Sequence, residues 1–157
     1  IQDRVPEITL YIVGLGDEGY FKTCMDLAEQ LGVISCVNPL GHVSRERLKD
    51  LLSSVKLVVA PSFYESFGYI VLEAMCSGTP VIGSDRITTD LLASGQTGFA
   101  VAPEDHVTMA EKAVELLSDP TRWTEFSTNS FDRAKNFDNA AVVPQMIDLY
   151  ERLSKGR

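Results

Sequence analysis

The sequence predicts an α/β fold: a parallel sheet covered by helices on both faces. Two observations carry that expectation. Short β-branched runs alternate with amphipathic helical segments along the 157 residues, and nearly every run is closed at once by glycine or proline. Strands that alternate with helices at short intervals pair in parallel through helical crossovers, which bury both faces of the sheet. An apolar content of 45% with 23% charged residues fits one hydrophobic core, and the chain reads as a single domain over residues 1–157.

The elements follow in order. Ile8 to Val13 is a β-branched and aromatic run closed by Gly14, and reads as a buried strand. Glu18 to Leu31 places Phe21, Met25, Ala28 and Leu31 at helical spacing before the stop at Gly32. Val33 to Val37 reads as a strand ended by the turn dipeptide Asn38-Pro39, and Ser44 as the cap of a helix carrying Leu48, Leu51 and Leu52. Leu57 to Ala60 is a third strand, cut off by Pro61. A helix from near Ser66 runs through Cys76 and stops at Gly78-Thr79-Pro80. Val81-Ile82 and Gly98 to Ala102 read as short strands, with a short helix at Thr89 to Ala93 between them. Glu104 to Leu117, Arg122 to Lys135 and Asn139 to Leu153 read as helices.

A net charge of −8 opposes phosphate-backbone binding, so no nucleic acid is expected as partner, nor any direct membrane contact from this segment. No apolar run is long enough to span a bilayer. Cys24, Cys36 and Cys76 are odd in number, lack a Cys-x-x-Cys pair, and read as reduced thiols rather than metal ligands. That usage fits a cytoplasmic location, and leaves room for a parent protein peripheral to a membrane.

Ligands of parallel sheets gather beyond the carboxyl ends of the strands. That rule selects the loops Gly14 to Gly19, Asn38 to Ser44 and Pro61 to Gly68. In the third, Ser66 reads as a helix cap and Gly68 as a first turn without a blocking side chain. Free amides at such a helix start favour an anion. Glu73 stands in an apolar helix, Tyr69 to Cys76, and reads as a buried carboxylate that must meet a cation, a cleft or a hydroxyl-bearing ligand. Glu65 lies eight positions earlier, at the mouth of the anion site. A phosphate flanked by two polyols, the layout of a nucleotide sugar, would answer all three features.

Pro61-Ser62, Glu65-Ser66-Phe67-Gly68, Leu72-Glu73-Ala74-Met75 and Gly78-Thr79-Pro80-Val81 together resemble the E-x7-E signature of the GT-B retaining glycosyltransferases, family 4. Leu10 to Gly16, the Val37 to Val43 stretch and Gly95 to Pro103 extend the resemblance over nearly the whole chain. It implies the Rossmann-like, carboxyl-terminal, nucleotide-sugar-binding domain of such an enzyme, lacking its first strand and helix. It implies that Glu73 holds the ribose hydroxyls and Glu65 the hydroxyls of the donor sugar. Ser66 and the backbone at Phe67, Gly68, Tyr69 and Ile70 would face the diphosphate; Gly41, His42 and Val43 would border the base. Gly16 would leave room for the donor. The donor is a substrate, and no cofactor or essential metal is implied; the leaving diphosphate is stabilised by fixed dipoles and cations.

Three departures accompany the resemblance. The family's upstream Arg and Lys would lie before Ile1, as would the amino-terminal acceptor domain, the expected partner. The family's missing strand would sit between those at Ile8 to Val13 and Leu57 to Ala60, so its absence would leave unpaired edges. Ser84 to Asp90 replaces a usual Gly-Gly pair followed by Glu, and Pro39 stands where an aromatic is common. Other readings are a non-catalytic nucleotide-sugar-binding or interaction module, and a nucleotide-sugar epimerase. Gly14-x-Gly16-x-x-Gly19 looks like a dinucleotide fingerprint, but Cys36-Val37-Asn38 lacks the acidic residue such a site needs. His106 reads as a surface residue, Trp123, Phe126 and Phe131 as packing residues, and Lys155 and Arg157 as an exposed end. This polypeptide alone is expected to transfer no sugar; measurable turnover by the purified 157 residues would overturn that.

Overall fold

The computed structural model describes residues 1–86 and 91–155. The chain divides into two compact units, Ile1–Leu51 and Leu52–Arg157. The expected α/β class is present: every paired strand is parallel, and a helix follows each of the first three strands before the next.

In the first unit, β1 (Leu10–Val13) leads through Gly14 into α1 (Glu18–Gln30). Gly14 has φ +117°, a value glycine adopts without strain, and its amide donates to the Gly41 carbonyl at 2.8 Å. Asp17 caps α1, its carboxylate accepting from the Tyr20 amide, and Gly32 at φ +69° ends it. The strand expected at Val33 to Val37 is displaced: Ile34–Cys36 forms a single 3₁₀ turn, and β2 is Val37–Gly41. Pro39, expected to make a turn, lies inside that strand opposite Ile12. Proline is tolerated there because β2 pairs with β1 alone among the described residues, and the register shifts after Pro39 so that Val13 meets Gly41. β1 leaves Leu10, Tyr11 and Val13 exposed. The Ser44 hydroxyl accepts from the Arg47 amide and caps α2 (Arg45–Ser54), as expected.

The second unit holds β3 (Val58–Ala60), α3 (Tyr69–Cys76), β4 (Val81–Ser84) and β5 (Gly98–Val101). α4 (His106–Ser118), α5 (Pro120–Ala134) and α6 (Asn139–Lys155) follow. Strand order is β3-β4-β5, and all four residues of β4 are buried between its neighbours. Ile82, Phe99, Val101, Met109, Ala113, Leu116 and Phe126 form one core cluster, so Phe126 packs as expected. Trp123 is half-buried and its indole donates to the Lys56 carbonyl at 2.6 Å, whereas Phe131 stays largely exposed. Asp105 and Asp119 cap α4 and α5, and Pro120 opens α5 at the one position where its missing N–H costs nothing. α6 buries no residue and contains Pro144. No described helix is long and apolar enough to cross a membrane. Of the short helix expected at Thr89 to Ala93, Thr89 and Asp90 lie outside the described residues, and Leu91 to Ala93 is not helical. Arg157 likewise lies outside them, and Lys155 is exposed.

Parallel pairing brings the carboxyl ends of β3, β4 and β5 to one edge of this sheet, followed by Pro61, Asp85 and Ala102. The close approach of β4 and β5 depends on Gly98, where an added Cβ would stand 2.2 Å from the Val81 carbonyl oxygen. Gly98→Ala must spread β4 and β5 and should cost roughly 3 kcal/mol or more in chemical denaturation. An unchanged unfolding midpoint would contradict this packing.

Candidate functional site

Two segments in the second unit build the site: the loop after β3 and the start of α3. Ser66 is exposed and does not cap the helix, contrary to expectation. Gly68 occupies that position instead, buried and left-handed at φ +90° and ψ 48°. A Cβ there would lie 3.2 Å from Leu91 Cδ1 and 3.9 Å from Glu65 Cγ, so both backbone and space demand glycine. The helix therefore begins at Tyr69, later than the apolar pattern suggests. Val71 and Leu72 donate their amides to the Gly68 carbonyl, and no side chain caps the helix. The amides of Tyr69 and Ile70 have no acceptor among the described residues, the arrangement that favours an anion.

Ala60, Ser62, Glu65, Gly68, Ile70, Val71 and Ser84 line a small recess beside that turn. Glu65 reaches it from an exposed loop, and Ser84 from the buried end of β4. Phe67 is exposed, its ring 5.2 Å from that of Tyr69 and 6.3 Å from that of Phe137. Ser62 and Ser84 were not among the expected site residues. Ser84 was legible in principle, since it ends a strand whose carboxyl edge carries the site, but the strand was expected to stop at Ile82.

Glu73 is half-buried rather than fully buried. α3 encloses only Val71, Ala74 and Met75, while Tyr69 and Cys76 are exposed, so the helix has a solvent-facing side despite its apolar composition. Among the described residues no cation pairs with Glu73 and no donor reaches its carboxylate. Its charge is felt nearby: partial desolvation, then the Glu73 and Asp138 carboxylates, push the Cys76 thiol above its usual range.

The other expected site residues belong to the first unit. Gly16 lies in the exposed turn before Asp17, and an added Cβ would meet nothing within 4 Å. Gly41, at φ +62°, turns the chain out of β2, with an exposed His42 and a half-buried Val43 after it. His106 is exposed at the start of α4. Cys24 and Cys36 are half-buried and Cys76 is exposed; none is in a disulfide.

Comparison with known proteins supplies the relatives. The family model for glycosyl transferases group 1 matches residues 1–136. A D-inositol 3-phosphate glycosyltransferase of Catenulispora acidiphila is 33% identical over 128 residues, covering 80% of this chain and 30% of that protein. Sucrose-phosphate synthase from Thermosynechococcus elongatus superposes with a TM-score of 0.80 at 28% identity, covering 95% of this chain and 39% of the other. HepE of Anabaena, solved in complex with UDP, gives a TM-score of 0.84 at 24% identity, over 96% of this chain and 43% of its own. The chain thus spans less than half the length of each of these three proteins. It belongs to the glycosyl transferases group 1 family.

The Glu73 carboxylate beside Cys76 gives a direct chemical readout. In a background with Cys24 and Cys36 replaced by Ser, iodoacetamide should alkylate Cys76 with a pH midpoint above that of a free thiol, about 8.5. A negative charge nearby disfavours the thiolate, so Glu73→Gln should lower the midpoint and quicken alkylation at any fixed pH below it. An unmoved midpoint would show that the Glu73 charge does not face the thiol.

Proposed function

We propose, from membership of the glycosyl transferases group 1 family, that this chain is the donor-binding part of a retaining glycosyltransferase that uses a nucleotide-diphosphate sugar. The observation that carries this reading is the unpaired, half-buried Glu73 on the helix whose first-turn amides at Tyr69 and Ile70 are open. A carboxylate in that position accepts two adjacent hydroxyls and gains charge-assisted hydrogen bonds without needing a cation. A ribose offers such a pair, and a diphosphate on its 5′ side would reach the open amides. Glu65, at the recess with Ser62 and Ser84, takes the hydroxyls of the transferred sugar. HepE bound to UDP is consistent in fold with this assignment.

The chemistry asked of these residues is positional and electrostatic. As the bond from the anomeric carbon to the diphosphate oxygen breaks, negative charge grows on the diphosphate. The helix-start amides stabilise it there as preorganised dipoles. Glu65 fixes the sugar so that the acceptor hydroxyl approaches on the face the diphosphate leaves and passes its proton to the departing diphosphate oxygen, which gives retention. Neither carboxylate acts as a general base. Gly16, Gly41, His42 and Val43 keep the donor- and base-facing roles that the family resemblance implies.

Nucleoside diphosphate affinity of the full-length protein tests the reading. Calorimetry against uridine, guanosine and adenosine diphosphates should find one that binds, and Glu73→Ala should weaken it by about 1.5–3 kcal/mol. Glu65→Gln should spare the diphosphate and weaken its sugar conjugate. Unchanged nucleotide affinity in Glu73→Ala would overturn the assignment.

A further inference from the structure

The loop that carries Glu65 is held in an unusual way. Among the described residues, positions 61–67 make no hydrogen bond, backbone or side chain, to the rest of the chain. Their carboxylate-bearing centre is exposed, and Tyr64 is 95% exposed. Aromatic contacts take the place of hydrogen bonds. Phe67 anchors the far end against Tyr69 and Phe137. At the near end, the Arg86 guanidinium lies over the Phe63 ring, 5.7 Å from its centre.

Arg86 is itself tied down from two sides. Its guanidinium pairs with Glu104, Nη2 to Oε1 at 2.5 Å, and its backbone amide donates to the Ser84 hydroxyl at 3.2 Å. Ser84 ends β4 and lines the recess with Glu65; Glu104 follows β5. Arg86 therefore spans the carboxyl ends of three neighbouring strands: Phe63 beyond β3, its own position beyond β4, and Glu104 beyond β5. A planar guanidinium can stack on a ring with its face while its edge donates to a carboxylate, which an ammonium cannot do equally well.

We propose that Arg86 is a positioning residue for the sugar-binding carboxylate: clamped by Glu104, it holds Phe63 and thereby sets the loop that aims Glu65 into the recess. The inference rests on the donor role proposed for Glu65 and deepens it. Arg86 does not touch the diphosphate; it acts through Phe63. The part of the donor that senses it is the sugar.

Full-length protein is screened by calorimetry with UDP-glucose, UDP-N-acetylglucosamine, GDP-mannose and ADP-glucose, and the tightest is compared with its parent diphosphate. Arg86→Gln should weaken the sugar conjugate about three- to ten-fold, the scale of one exposed ion pair with one cation–π contact, and leave the diphosphate unchanged. Arg86→Lys should recover part of the loss. Glu104→Gln should match Arg86→Gln, and the double variant should be no worse than either single one. Equal weakening of diphosphate and conjugate would make Arg86 a phosphate contact and overturn the inference. So would a normal conjugate affinity in Arg86→Gln, with the donor reading left standing. If no probe binds the wild type, the donor reading falls and takes the positioning role with it.

Discussion

One backbone constraint organises the site. At Gly68 the chain leaves the loop after β3 and enters α3 with φ +90°, buried, against Leu91. Any side chain would be strained by the dihedral and crowded by its neighbours. Because the turn is left-handed and has no capping side chain, the first amides of α3 face outward without partners while Glu65 folds beside them. The open amides and the loop carboxylate come together at the same turn. The fully buried β4 lies beneath this site, and its last residue, Ser84, lines the recess.

Half-burial without an ion partner separates Glu73 from the other described acidic groups of the second unit, whose unpaired members are exposed. Glu104 pairs with Arg86, Glu115 with Lys112 and Arg122, Asp132 with Lys135, Asp148 with Arg152 and Glu151 with Lys155. Glu73 sits half-buried with no such partner among the described residues, and its near neighbours include a thiol and the Asp138 carboxylate. Half-burial keeps its desolvation cost moderate.

Glycine and proline punctuation made most of the fold legible. Gly14, Gly32, Gly78 and the Asp119-Pro120 pair end or begin elements near where they were expected. Misplacements arose where local chemistry competed with pattern. Val33 to Val37 is apolar enough for a strand, yet the chain makes a 3₁₀ turn there and pairs through Pro39, because an edge strand tolerates a missing donor. Ser66 has the better capping side chain, but the left-handed turn at Gly68 starts the helix later. The position of Glu65 at the mouth of the helix start was legible from spacing, and it lines the recess there. The degree of burial of Glu73 was not, because composition cannot say which side of a short apolar helix meets solvent. Arg86 and Ser84 were hidden for another reason: their importance comes from strands that are neighbours in space and distant in sequence.

The central claim is that Glu73 is completed by the ribose hydroxyls of a bound nucleotide whose diphosphate rests on the start of α3. A crystal structure of the full-length protein with whichever of uridine, guanosine or adenosine diphosphate binds it decides this directly. The account predicts the two ribose hydroxyls within hydrogen-bond distance of the Glu73 carboxylate, and phosphate oxygens on the amides of Tyr69 and Ile70. A nucleotide bound elsewhere, with Glu73 facing only water, would contradict it.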